Sequence, residues 1–342
     1  MYELAHNQAQ IIVDRMMKDI PYNINIMDHT GMIIGSGNKE RIGTLHHGAL
    51  EAINQRTIVE INTDEKFVKK GINLPIELNG HIVGVVGISG EVIETRPFGN
   101  LLKSAVILLI NQSIALEKEN LKNNLKQEFF SLIINSDTTY TKEIMNQALI
   151  YGLQLTKPTQ ILYVESPNEV TEDITISLSS FKMSKHALCL VLQDADKCAS
   201  LEQILRNQHP NALISISKMN DTISDGFLQA KSAMRVLKGI YFNEKTILYS
   251  QCEFIADMAK LQKNDPKADR LTHLLENNDE LIKTLQVYLS CNLNANETAS
   301  RLMIHRNTLN YRLNKIYTIT GKDTKNILEL VELIFMLINR IM

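Results

Sequence analysis

The sequence has no tryptophan and little cysteine. Its four cysteines, Cys189, Cys198, Cys252 and Cys291, lie far apart and form no CxxC pair, so they offer neither a zinc site nor a disulfide framework. Free buried thiols are the expected use, and no metal or cofactor is expected. The opening MYELAHNQAQ lacks the basic flank and apolar stretch of a secretory leader, which predicts a cytoplasmic chain. The most apolar stretch, Leu101 to Ile110, is interrupted by Lys103 and is shorter than the roughly 20 residues of a membrane helix, so no membrane partner is expected. No phosphate-binding P-loop pattern occurs, and no Gly-rich loop carries paired acids. The nine histidines fall in no recognisable Ser/His/Asp or Cys/His context. These absences argue against an enzyme.

A chain of 342 residues exceeds one ordinary core, and about 100 to 200 residues per domain predicts two or three. Hydrophobic residues at 44% and charged residues at 22% fit a soluble globular protein rather than a disordered or membrane chain. The net charge of −2 does not mark the whole as a nucleic-acid binder. Its distribution points elsewhere. From Arg301 to Lys322 the chain carries Arg301, Arg306, Arg312, Lys315 and Lys322 with no acid between them, an electrostatic footprint suited to phosphates.

Along the chain, a helix from about Leu4 to Met17 precedes YNINIMD and MIIG, which alternate as strands around a turn at His29 to Gly31. A second hairpin joins LPIEL to HIVGVVGIS through Asn79-Gly80, a pair suited to a type I′ turn. Between them, His46 to Gln55 reads as a short helix followed by strand-like TIVEI. Such a mixture predicts an α+β sensor with a ligand cleft over one sheet face. A long helix follows from Leu101 to about Asn135, with Leu102, Leu109 and Leu116 seven apart. It reads either as a dimerising connector or as a helix packed on its own domain, and Ser113 and Asn120 near the seam interrupt an ideal coiled coil. From Lys142 to Ser250 come the strand-like QILYVES, HALCLVLQ and ALISISK and a helix stopping at Gly239, a second α/β unit. Asp265-Pro266 marks a break before a final all-helical region.

The decisive stretch is Glu297 to Ile316. A short helix places Ala299 and Leu302 inward, Met303 to His305 turn the chain, and a second helix starts near Arg306. Leu309, Leu313 and Ile316 share one face of that helix. The opposite arc gathers Asn307, Thr308, Asn310, Tyr311, Asn314 and Lys315, flanked by Arg306 and Arg312. Amide and guanidinium groups so placed can read base edges in a major groove while basic and hydroxyl groups reach phosphates. Any amphipathic helix shows a polar arc, but a merely solvated one mixes signs, and this one has no acid beside it. The predicted DNA-binding set is His305, Arg306, Asn307, Thr308, Asn310, Tyr311, Arg312 and Lys315.

HRNTLNYRLNKI preceded by ETASRL closely resembles the C-terminal helix-turn-helix of the carbohydrate diacid regulator family and the related purine catabolism regulators. PYNINIMDHTGMIIGSGNKERIG, HHGAL and GINLPIELNGHIVGVVGISG resemble that family's sugar diacid recognition domain, and the middle segment looks like its degenerate, GGDEF-like domain. The resemblance covers nearly the entire chain. It implies an α+β multidomain protein: a PAS/Cache-like α+β sensor with its connector helix over 1–135, a central α/β domain over 136–260, and an all-α helix-turn-helix domain over 261–342. It further implies a transcriptional regulator, commonly an activator, that responds to glucarate, galactarate, glycerate or a related hydroxy acid and controls its catabolic genes. The expected partners are double-stranded operator DNA, a small organic acid and a second copy of the chain.

A small carboxylate needs positive charge or clustered amide donors. The expected ligand set is Arg41, His46, Gly48, Asn73, Gly84 and Gly87. Arg41 follows the glycine-rich IIGSGN, His46 opens a helix, and the glycines, with Gly90, let backbone approach a ligand. Structural alternatives are a surface ion pair of Arg41 with Glu40 or Asp64, a capping role for His46 and a loop-shaping role for Asn73. Where the family usually places Glu after the matching histidine this chain has His47, a change that favours a smaller or more anionic effector. Two other classes stay open. A nucleotide-binding, cyclase-like protein would use the middle segment, where Asp194 and Asp196 are the nearest metal-binding acids. A dimeric signalling adaptor would use the apolar segment Asn326 to Met342, which otherwise packs under the DNA-reading helices.

Overall fold

The computed structural model describes residues 4–64, 69–170, 179–261, 273–275 and 278–341. The chain divides into two compact units, Met1–Lys122 and Asn123–Met342.

The first unit is built on an antiparallel sheet in the order β2-β1-β5-β4-β3. β1 (Asn23–Asp28) and β2 (Ile33–Ser36) form the first hairpin, and β4 (Gly71–Leu78) and β5 (His81–Ser89) form the second; β3 (Val59–Ile61) closes the edge. Asn79 and Gly80 both sit at positive φ, 50° and 81°, the turn that an Asn-Gly pair adopts without strain. Strand alternation then gives the sheet two different faces. Ile24, Ile26, Ile72, Leu74, Val86 and Ile88 pack with α1 (His6–Met16) and with Leu102, Val106 and Ile110 of α3 (Val92–Ile133). Met27, Val59 and Val85 pack with Ala49 and Ala52 of α2 (His47–Gln55).

Helix α3 starts at Val92 rather than at Leu101. Pro97 lies inside it, removing one backbone donor and obscuring the helical start in the sequence. The expected stripe of Leu102, Leu109 and Leu116 divides. Leu102 is buried, Leu109 packs partly against the same core, and Leu116 is 53% exposed. Ser113 accepts a hydrogen bond from Gln8 Nε2 at 2.9 Å and so faces α1. The unpartnered apolar arc runs instead through Leu101 and Leu108, 68% and 69% exposed, to Leu116. Taken over 18 residues rather than over Leu101 to Ile110 alone, a window of α3 reaches a mean hydropathy of 1.3, long and apolar enough to cross a membrane by length and composition only.

The second unit holds a sheet in the order β10-β9-β6-β8-β7. β6 (Gln160–Glu165), β8 (Ala187–Leu192) and β9 (Leu213–Ile216) are the strands the sequence marks; β7 (Ser179–Ser184) and β10 (Thr246–Leu248) are edges it does not. Only β10 and β9 run parallel among the described pairs. One face carries α4 (Lys142–Ile150), α6 (Ile223–Gly239) and α7 (Tyr249–Leu261), with Phe129, Phe130 and Ile133 of α3 in the same core. The other face is covered by Leu201 and Leu205 of α5 (Cys198–Gln208). Helix α6 starts at the cap Thr222, whose hydroxyl accepts from the Asp225 N–H at 3.1 Å, and ends at Gly239.

Four helices complete the unit: α8 (Asp279–Ser290), α9 (Ala295–Arg301), α10 (Arg306–Thr320) and α11 (Ile327–Asn339). The expected break at Asp265-Pro266 lies outside the described residues. Helix α11 serves two cores. Its Leu330, Leu333, Met336 and Leu337 pack with Leu309, Leu313 and Ile316 of α10, while Phe335 and Ile338 join the core of the β6 sheet. A Cβ at Gly239 would stand 3.0 Å from the Leu337 carbonyl oxygen, so glycine there lets α6 and α11 meet backbone to backbone.

Candidate functional site

On the α2 face of the first sheet, one transverse row runs Ser36, Asn25, Gly87, Asn73 and Val59 across neighbouring strands. Four of these five are polar or glycine where a half-covered sheet would normally place aliphatics. Ser36, Asn25 and Asn73 are buried. The Ser36 hydroxyl donates to Asn25 Oδ1 at 2.7 Å, and Asn23 Nδ2 donates to the same oxygen at 3.1 Å. Among the described residues the Asn73 amide has no hydrogen-bond partner. A buried amide left open in this way costs desolvation unless a ligand or water completes it.

Helix α2 lands on this row. A Cβ at Gly48 would stand 2.8 Å from Asn73 Nδ2 and 3.3 Å from His46 Cε1, and one at Gly87 would stand 2.9 Å from Asn73 Oδ1. Both glycines keep the space around Asn73 open. His46 is buried and caps α2, its Nδ1 accepting from the Ala49 N–H at 3.3 Å. Burial first, and then the charges of Arg41 and His47, push its pKa down to about 4. The ring is therefore neutral at physiological pH with Nδ1 as acceptor, leaving the Nε2–H as a donor.

Arg41 ends the short 3-10 turn Lys39–Arg41 after β2 and is half-buried. Burial lowers its pKa, but an arginine stays charged. Among the described residues it has no ion-pair partner, since Asp64 is taken by Lys69 at 3.5 Å. It lines a cleft of about 360 Å³ together with Asn23, Asn38, Ser89 and Gly90 and with the charged Asp64, Lys69 and Lys70. The structure thus brings His46, Gly48, Asn73 and Gly87 into one cluster, with the Arg41 charge acting on it. Gly84 lies apart. Three residues from Gly87 on the same strand, it points to the opposite face, where a Cβ would stand 2.4 Å from the Met27 carbonyl oxygen. Its role is close strand packing. Asn23, Asn25, Ser36, Asn38 and Ser89 were not singled out by the sequence pattern, although the period-two spacing of Asn23 and Asn25 in a strand is the clue that marks them.

The second candidate site is the pair α9 and α10. Asn294 caps α9, accepting from the Asn296 and Glu297 N–H groups at 3.0 and 3.2 Å. The chain turns through Met303 at a φ of 54°, and His305 caps α10 through Nδ1, accepting from the Asn307 N–H at 3.3 Å. Leu309, Leu313 and Ile316 are buried as the helical spacing requires. Arg306, Asn307, Thr308, Asn310, Tyr311, Asn314 and Lys315 are exposed along the outer arc.

Arg312 is placed differently. Its guanidinium is paired with Glu280 of α8 and donates to Thr284 Oγ1 at 3.4 Å, leaving the side chain 16% exposed. The stretch without acids is also less basic in space than in sequence. Glu297 pairs with Arg301 at 2.8 Å and Glu332 with Lys322 at 2.7 Å. Among the described residues Arg306 and Lys315 keep unpaired charges. The acceptors, Glu280, Glu297 and Glu332, come from α8, α9 and α11, outside the stretch from Arg301 to Lys322.

Two family descriptions match the chain: sugar diacid recognition over residues 4–133, and the PucR C-terminal helix-turn-helix domain over residues 281–338. The chain is 31% identical to an uncharacterised protein of Haemophilus influenzae, covering 93% of this chain and 94% of the relative. It is 29% identical to the carbohydrate diacid regulator of Escherichia coli over 95% of both chains. A shorter match, 43% identical over 51 residues, links it to the purine catabolism regulatory protein of Bacillus subtilis, covering 15% of this chain and 10% of that one.

Proposed function

The chain belongs to the carbohydrate diacid regulator family, a family of helix-turn-helix transcriptional regulators, and from that premise we propose that it is a dimeric, cytoplasmic activator switched by a sugar diacid or small hydroxy acid. Glucarate, galactarate and glycerate are the effectors to try first, and the genes controlled are those of the acid's own catabolism. The observation that carries the reading is the half-buried Arg41, without an ion-pair partner among the described residues, whose charge acts on the buried His46 next to the open Asn73 amide. A carboxylate offers both groups what they lack: a bidentate partner for the guanidinium and an acceptor for the amide and the His46 Nε2–H.

At the other end, His305, Arg306, Asn307, Thr308, Asn310, Tyr311 and Lys315 read the operator's major groove, and Arg312 holds α10 in position rather than touching DNA. A second copy covers the Leu101, Leu108 and Leu116 arc of α3. That arc occupies one side of a helix whose opposite side packs on its own sheet, whereas a lipid-facing helix would be apolar around its circumference.

Fluorescence anisotropy on labelled DNA from the chain's own upstream region, with competitor DNA, tests the reading. Specific binding that changes with one of the three acids, and loses that response in Arg41→Ala while unliganded binding persists, is the expected result. A normal response in Arg41→Ala would move the effector site elsewhere, and specific binding indifferent to all three acids would remove them as effectors.

A further inference from the structure

The second unit contains a cavity of about 420 Å³ between α6 and the end of α11. Its wall is aromatic, with the Tyr163 and Phe227 rings edge to face at 6.0 Å. Lys231 and Arg235, one turn apart on α6, face the same space. The Lys231 ammonium lies 5.7 Å from the Phe227 ring centre. Other charges at this site are already answered. Lys260 pairs with Asp257 at 3.0 Å, and Glu165 pairs with Lys238.

Among the described residues no carboxylate answers Lys231 or Arg235. Like charges at that spacing destabilise a helix, and Arg235 is half-buried as well. Burial lowers its pKa without removing its charge. Across the cavity Asn339 ends α11, and both polar atoms of its side chain are buried without a hydrogen-bond partner. Two uncompensated cations, an aromatic wall and an open amide facing one cavity are the parts of a ligand site rather than of a core.

We propose that this cavity is a second effector site that takes a compact organic anion with an aromatic or heteroaromatic body. The anionic head pairs with Arg235 and Lys231, the body lies against Phe227 and Tyr163, and its polar edge meets the Asn339 amide. The cavity is of a size for one such molecule, and the cation-π geometry of Lys231 already aligns charge and ring. The site can speak to DNA binding because Asn339 belongs to α11, whose Leu333 and Met336 support α10. Binding there does not rest on the sensor cleft of the first unit. Only its link to the operator rests on the regulator reading.

Isothermal titration calorimetry on the full chain tests the site with adenosine 5′-monophosphate and indole-3-acetate, set against inorganic phosphate and acetate as heads without a body. Binding of at least one aromatic probe at one per chain is expected, with the phosphate-headed and carboxylate-headed probes identifying the head. Arg235→Met should weaken it by about tenfold or more, as loss of a charge-assisted pair implies. Exposed Lys231→Glu reverses a charge without touching a core and should abolish it, which carries the test if Arg235→Met does not fold. Arg41→Ala should leave it unchanged. Failure of both aromatic probes to bind, unchanged affinity in Lys231→Glu, or loss in Arg41→Ala would each overturn the site.

Discussion

His46 does two things at once. Its Nδ1 caps α2, and its buried ring sits beside the open Asn73 amide, close enough to Arg41 to feel that charge. A neutral ring is the only form that satisfies all three neighbours, because protonation would remove the cap acceptor and place a cation near Arg41. The consequence is a pH dependence of stability. With a folded pKa of about 4 against the ordinary 6.5, the unfolded chain binds the proton first. His46 therefore supports folding fully above pH 6.5, and that support falls as pH drops through the window down to about 4. The shift corresponds to about 3 kcal/mol. His46→Asn keeps a good cap and removes the titration. Calorimetric melting of the first unit between pH 7.5 and 4.5 should thus drop more steeply in the parent protein than in His46→Asn. Parallel profiles for the two would mean that another group titrates.

At the scale of elements, α10 presents its outer arc only because its inner side is fixed in two ways. Leu309, Leu313 and Ile316 bury against α8, α9 and α11, and Arg312 ties the helix to Glu280 and Thr284 of α8. The charge on Arg312 is already committed, so its loss and the loss of a free cation should look different. Arg306→Ala and Lys315→Ala should each weaken operator binding and lower the slope of log affinity against log salt by about 0.9, with no loss of stability. Arg312→Met should lower stability by about 1 kcal/mol and weaken operator binding at an unchanged salt slope. A slope that falls in Arg312→Met as well would mean that Arg312 leaves Glu280 for a phosphate. The same contrast marks what a sequence discloses. Hairpins, the α2 cap and the α9–α10 pair were legible because Asn79-Gly80, strand alternation and helical spacing are local patterns. The ion pairs of Arg301, Arg312 and Lys322 were not, because all three acids, Glu297, Glu280 and Glu332, lie outside the stretch that reads as basic. β7 was hidden by a mixed SSFKMS that alternates weakly at a sheet edge, and Gly84 and Gly87 read alike until strand geometry put them on opposite faces.

Over the whole molecule, α3 starts in the first unit, which matches the sugar diacid recognition description, and ends in the unit that carries the helix-turn-helix. Its Phe129, Phe130 and Ile133 are locked into the core of the second unit, as its Leu102, Val106 and Ile110 are into the first. In the proposed switch this continuous helix is the covalent link between effector and operator. A coupling of about 1–3 kcal/mol is enough to change operator affinity roughly 5- to 150-fold, provided the effector prefers one state. One recognition helix reads few base pairs, so two copies held about one DNA turn apart multiply the specificity. The proposed dimer joins two copies through the arc of Leu101, Leu108 and Leu116, exposed leucines on α3. Leu108→Glu places a charge in the middle of this arc without disturbing a buried residue. Sedimentation should find it monomeric, with operator affinity down by tenfold or more and the effector response lost, since losing the partner half-site removes several kcal/mol of binding, of which about 1.4 kcal/mol already gives tenfold. Lys118→Glu, exposed on the same helix, should remain a dimer and respond normally. A Leu108→Glu protein that stays dimeric and keeps its effector response would show that the arc is covered by something other than a second copy, and the coupling would then have to run within a single chain.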